Sequence, residues 1–378
     1  MSNSSSLAPV WAAGRSALSE RKVELQLKRF NRRYRLNVLK VAQKHPALAD
    51  LAVSFPALLF MLSVPHKGVD AAALQRLVMV GVPLKPLAKL SNLPLWTRKL
   101  PPEAFGQPLV HLPRHETYAR QIGNFVPRKS RHAERWLNNV MLACEFGDEA
   151  FAVWVAREFQ TERLYPPSMR HHALWAWFSA RPRLVGHGLV NRPWTPQIGK
   201  LAARKAMADW LSRLRLHVTI ADAVHEPLWL EPKTVDGFDF VPLLSANSIH
   251  EEAQAMDNCV RSFGSDIATN AQRLWSMRRD GKRHATLSVG NNQDLGLLTI
   301  TEIKGPKNER VPRDVAVAAK RWIDSVDVTK IEISPKNWDD FLPNPKVWAC
   351  LFKPYWLEKQ HIPHWLPLAP KAFTLGRL

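Results

Sequence analysis

Ser245-Ala-Asn-Ser-Ile-His-Glu-Glu-Ala-Gln-Ala-Met-Asp-Asn-Cys-Val-Arg-Ser-Phe263 is the stretch on which the reading of this chain turns. Ser248 and Glu251 have the spacing of a capping box. Ile249, Ala253, Met256, Val260 and Phe263 follow at spacings of four, three, four and three, an apolar stripe for one face of a helix. Glu252 and Cys259, seven residues apart, fall nearly one above the other at the edge of that stripe, which predicts a semi-buried Cys259.

Downstream the period changes from helical to alternating. His284-Ala-Thr-Leu-Ser-Val289 reads as a strand, and a turn at Gly290-Asn-Asn-Gln leads into Leu295–Ile303 as the second arm of a hairpin. Asp236–Leu244 reads as a turn and an extended segment, Leu216–Ala221 and Lys330–Ser334 as strands. Val311–Val326 reads as a helix burying Val315, Ala318, Ala319 and Trp322.

Upstream the texture differs again. Residues 18–45 predict one helix ended by Pro46, with the basic cluster Lys28, Arg29, Arg32, Arg33 and Arg35 around Tyr34. On a continuous helix Arg29, Arg32 and Arg33 share a face that suits a row of phosphates. Beyond it come proline-punctuated helical segments: Leu48–Leu62, Ala71–Val80, His132–Phe146, Glu149–Gln160 and Gln197–Leu214. Trp96, Trp136, Trp154, Trp175, Trp177, Trp194 and Trp210 read as core, although an ideal helix cannot turn both Trp175 and Trp177 inwards. The expected fold class is therefore α+β. A basic, all-α region (1–215) precedes a smaller α+β domain (216–340) in which a helix packs on a β-hairpin or sheet, and a Trp/Pro-rich tail (341–378) packs back on that domain.

Composition bounds the function. The net charge of +20 lies wholly in residues 1–215, where 33 Lys and Arg face 13 Asp and Glu; residues 216–378 hold 20 of each. This asymmetry points to a nucleic-acid partner, or else an acidic protein partner, on the first part of the chain. Cys144, Cys259 and Cys350 have neither metal-site nor disulfide spacing, so a reducing, cytoplasmic setting is expected. The longest apolar run, Leu51–Val64, contains Pro56 and is too short for a membrane span, so no membrane partner is expected. The serine-rich residues 1–10 read as a frayed tail and not as a secretory signal. Adjacent His171 and His172, with His187 beyond, lack an acidic or cysteine partner, so no metal is expected. No dinucleotide, P-loop, esterase or zinc-protease motif occurs, and no cofactor is expected.

Asn258-Cys259-Val260-Arg261-Ser262-Phe263, the Arg278-Arg279 linker, His284-Ala285-Thr286-Leu287 and Gly305-Pro306-Lys307-Asn308 together resemble PcfJ-like domains over residues 240–330. That bacterial family is tied to conjugative plasmids and other mobile elements, and no reaction is attached to it. Phe263 replaces its usual tyrosine, and Asn258 stands where Gram-positive members tend to have histidine. The resemblance implies a bacterial protein of a mobile element, with Arg278 and Arg279 joining the basic residues as contacts to nucleic acid. Whether it is an enzyme stays open. Cys259, Glu252, His284 and Asn308 are the catalytic candidates. In one reading Cys259 is a nucleophile; in the other it is structural, since the negative end of a helix disfavours a thiolate. A third arrangement joins Glu252, Arg279, His284, Thr286, Lys304 and Asn308 for acid–base work on a phosphodiester.

Overall fold

A computed structural model describes residues 17–66, 68–220, 229–292, 297–327, 331 and 333–377. The chain divides into two units, one of residues 1–180 and 193–204, the other of 181–192 and 205–378. The class is α+β: helices fill the N-terminal part, and a five-stranded antiparallel sheet lies in the C-terminal part.

In the first unit, prolines and polar caps set the helix starts. Pro46, Pro56 and Pro166 occupy first-turn positions of Pro46–Ser54, Pro56–Ser63 and Pro166–Ser179, where a missing N–H costs nothing. Asp70 and Asp148 cap Ala71–Met79 and Glu149–Glu158 by accepting backbone N–H groups. The expected helix 48–62 is broken at Phe55-Pro56, because proline removes a donor and crowds the preceding turn. The expected helix 18–45 is broken too: Ala17–Lys28 ends, and Asn31 caps a new helix, Arg32–Ala42. The core is aromatic. Phe60 stacks on Phe105 at 5.3 Å and meets Tyr34 edge-on at 5.2 Å, and Trp96 meets Trp136 edge-on at 5.4 Å. Trp175 and Trp177 are both buried, contrary to expectation, since Pro166–Ser179 is enclosed on more than one side.

The second unit holds β1 (Lys233–Val235), β2 (Phe238–Pro242), β3 (Gln272–Arg279), β4 (Lys282–Asn292) and β5 (Leu297–Lys304), paired in chain order. Two Asp-Gly turns make its first hairpins possible. Asp236 and Gly237 have φ of 51° and 75°, and Asp280 and Gly281 have 52° and 74°, the positive values that a two-residue hairpin loop requires. The Arg278-Arg279 segment is thus the end of β3 and not a linker. One face of the sheet packs Phe240, Trp275, Met277, Ala285, Leu287 and Val289 against Trp322 and its neighbours on the helix Arg313–Asp324. The other packs Leu274 against Ile249 and Ala253 of the helix Ala246–Met256, and against Leu216 and Ile220.

Leu216 and Ile220 belong to the helix Lys200–Ile220, so the expected strand 216–221 is a correction; Ala221 lies outside the described residues. Leu216, Val218 and Ile220 are all buried. Residues two apart on a helix point to nearly opposite sides, so a helix buried on two sides imitates a strand's alternation. Of the expected strand 330–334, Lys330 and Glu332 lie outside the described residues; Ile331 and Ile333 pack against the Trp322 core without strand pairing. Gly290, Asn291 and Asn292, expected in a turn, instead end β4 and pair with Thr299, Leu298 and Leu297; residues 1–10 and 293–296 lie outside the described residues. In the tail, the helix Pro345–Lys359 buries Trp348 and Trp356, whose indole N–H groups donate to the carbonyls of Pro367 and Leu366. No helix among the described residues is long and apolar enough to cross a membrane.

Candidate functional site

The helix Ala246–Met256 starts three residues earlier than the expected Ser248–Glu251 capping box implies. Ser245 is the cap: its hydroxyl accepts from the Ser248 N–H at 3.1 Å, and the Ser248 hydroxyl accepts from the Ser245 N–H at 3.0 Å. The helix stops at Met256 because Asp257 adopts a left-handed conformation, φ 49°. Cys259 therefore lies beyond the helix, at the entry to the single 3₁₀ turn Val260–Phe263. It is exposed, not semi-buried, and it does not stack over Glu252.

Glu252 is fully buried and sits at the centre of a polar network. Its carboxylate accepts from Thr286 Oγ1 and Arg283 Nε, both at 2.8 Å, with Arg278 Nη2 at 3.9 Å. Asn258 Nδ2 in turn donates to Thr286 Oγ1 at 2.9 Å, and Cys259 Sγ donates to Asn308 Oδ1 at 3.7 Å. Lys304 stands opposite Thr286 on β5 and lies 3.7 Å from Glu302. The helix end and the hairpin thus bring together Glu252, Asn258, Cys259, Thr286, Lys304 and Asn308.

His284 and Arg279 do not join them. The β3–β4 pairing shifts register between Met277 and Arg278, so that Arg278 faces Arg283 while Met277 faces Ala285. The extra residue, His284, turns to the other side of the sheet and meets the Phe238 ring at 5.4 Å. Arg279 lies over the same ring at 3.6 Å and donates to the Asp236 carbonyl. The expected Glu–His acid–base pair is thereby separated by the sheet.

Space around the motif is uneven. The cleft between Cys259 and the hairpin has about 20 Å³ free, room for about one water. A concavity of about 790 Å³ lies on the motif's other side, lined by Asp257, Asn258, Cys259, Arg261 and Ser262 together with Arg215 and Trp338. Behind it, Asp209 accepts from Arg261 at 2.7 Å and from Arg213 at 3.1 Å. Burial, aided by Arg213 and Arg261 and opposed by Asp209, pushes His250 down to about 4. Both ring nitrogens of His250 are buried without a hydrogen-bond partner.

The basic residues expected to meet nucleic acid also divide. The break after Lys28 removes the common face of Arg29, Arg32 and Arg33. Arg29 donates to Glu103 at 2.7 Å, and Arg35 donates twice to the Phe30 carbonyl, fastening the kink. Lys28 pairs with Glu24, both exposed, and Arg33 lies 5.3 Å from the Tyr34 ring centre. Arg32 and Arg33 are exposed and form no ion pair among the described residues. Arg278 faces Glu252 and donates to Ser276, so it is held within the second unit. Asp209, Arg213, Arg283 and His250 were not singled out by the sequence pattern; their roles depend on a strand bulge and on helix packing that leave no local trace. His172 is buried, its Nδ1 against the Ser168 carbonyl, and no group of three metal-capable side chains occurs among the described residues.

No protein-family model, no curated protein and no solved structure matches the chain.

Proposed function

We propose that this is a nucleic-acid-associated, PcfJ-like protein of a plasmid or other mobile element, working in the bacterial cytoplasm and binding DNA or RNA through its first unit. One observation carries the binding. The first unit contains 27 Lys and Arg against 12 Asp and Glu, and Arg32, Arg33, Lys89 and Arg114 among them are exposed and form no ion pair among the described residues. Phosphates neutralised by such side chains release counterions, which gives affinity without sequence preference. Fluorescence anisotropy of the full chain with labelled DNA and RNA, across a salt series, tests this. A steep negative log–log slope is expected. Undetectable binding at low salt would remove the reading, and salt-insensitive capture of an acidic protein would replace it with an adaptor role.

The concavity of about 790 Å³ lined by the Asn258–Ser262 motif favours a second reading, an enzyme acting on a nucleotide or nucleic acid there. Cys259 would lie at its edge, its thiol donating to Asn308 on the hairpin side, with His284 outside it. Full biological activity of a folded Cys259→Ala/Asn308→Ala variant would end that reading.

A further inference from the structure

The first unit carries a groove of about 730 Å³ lined by side chains drawn from two segments, residues 88–99 and 113–124. Its wall is apolar at Leu93, Pro94 and Trp96, and Leu95 stands 45% exposed beside them. Lys89, Lys99, Arg114 and Arg120, all exposed, line it as well, against the single carboxylate Glu116. Glu116 pairs with Arg120 one turn away, but both side chains are 77% exposed, where such a pair contributes little. Lys99 Nζ donates to the Gly123 carbonyl at 3.3 Å, which leaves its charge uncompensated. Lys89 and Arg114 make no side-chain hydrogen bond or ion pair among the described residues. Four cations gathered at one concavity repel one another, and folding gains nothing from that arrangement.

The free volume falls within the range of small-molecule sites, roughly 300–1,000 Å³, enough for a nucleotide. In a duplex the bases are stacked inside, and only phosphates and groove edges meet a protein. An unpaired base, by contrast, can enter an apolar recess while its flanking phosphates stay at the cationic rim. We propose that this groove is a single-strand site. It takes an unpaired nucleotide of a DNA or RNA strand, with the base against Leu95 and the adjoining wall and the phosphates on Lys89, Lys99, Arg114 and Arg120. The inference rests on the nucleic-acid reading above and gives it a location and a preference.

The test uses the full chain, labelled oligothymidine and a labelled duplex of equal length, with wild type and Lys89→Ala/Arg114→Ala compared across a salt series. Both side chains are exposed and unpaired, so a thermal unfolding curve matching wild type is expected. The variant should bind oligothymidine about tenfold more weakly at low salt. Its log–log salt slope should be shallower by about 1.4, two lost contacts at about 0.7 each. Duplex binding should change less than about twofold. Equal loss for both probes, or no loss for either, overturns the groove while leaving nucleic-acid binding in place. Wild type that binds neither probe overturns both.

Discussion

In the first unit Arg32, Arg33, Lys89 and Arg114 face solvent and pair with no carboxylate among the described residues; in the second, Arg213, Arg261, Arg278 and Arg283 converge on Asp209 and Glu252. The charge is the same and its physical role is opposite. An exposed cation is free to exchange its counterions for phosphates, whereas a guanidinium locked on a carboxylate within the fold holds that fold together. Counting charges along the chain finds where cations are in excess. It does not find which of them are available, and Arg29, Arg35 and Arg278 are three that are not.

Glu252→Ala should have the largest effect. It strips a fully buried carboxylate from Arg283 and Thr286 and should cost about 3–5 kcal/mol in urea unfolding, while Glu252→Gln, which keeps an acceptor for Thr286, should cost less. An equal and small cost for both would mean that the network is ornamental.

His250 gives a pH signature to the same unit. Its folded value of about 4 lies below the ordinary 6.5, so from pH 6.5 down to 4 the unfolded chain binds a proton that the folded chain refuses. Stability therefore falls as pH drops through that window, by about 2–3 kcal/mol between pH 7 and 4.5 for this group. In His250→Gln that part of the acid sensitivity should vanish, a difference read from unfolding curves of the two proteins at both pH values.

On the other side of the comparison, Arg32→Ala/Arg33→Ala should leave unfolding unchanged and weaken duplex binding about tenfold, with a salt slope shallower by about 1.8. The mirror-image result, lost stability with binding intact, would put these arginines in the same role as those of the second unit. Smallest of all, Cys259→Ala should shift stability by less than about 0.5 kcal/mol, since the thiol is exposed and its partner is a neutral amide.

Much of the second unit was legible before any coordinates. Val315, Ala318, Ala319 and Trp322 are buried as their spacing required, and β4 and β5 pair as expected, although Gly290, Asn291 and Asn292 continue the strand where a turn was expected. β3 was legible too, since Asp280-Gly281 is the same turn signal as Asp236-Gly237. It was obscured by the basic pair before it. The end of the helix at Asp257 was harder, because an aspartate in a left-handed cap lacks the glycine that would announce it. The candidate site suffered most from what leaves no local trace. One extra residue on β4 sends His284 away from Glu252, and no alternation pattern shows on which residue a bulge falls.

The helix Lys200–Ile220 carries a practical consequence. Charge changes along the sequence near residue 215, yet that point lies inside a helix, and Leu216, Ile220 and Asp209 on it all serve the second unit. A fragment beginning at residue 216 would lose both Arg213 and Asp209. Arg261 would then lack its counter-ion beside an uncharged, unpartnered imidazole, and the Ile249 core would be closed by a severed last turn. Where a chain changes character is thus a poor guide to where it can be cut.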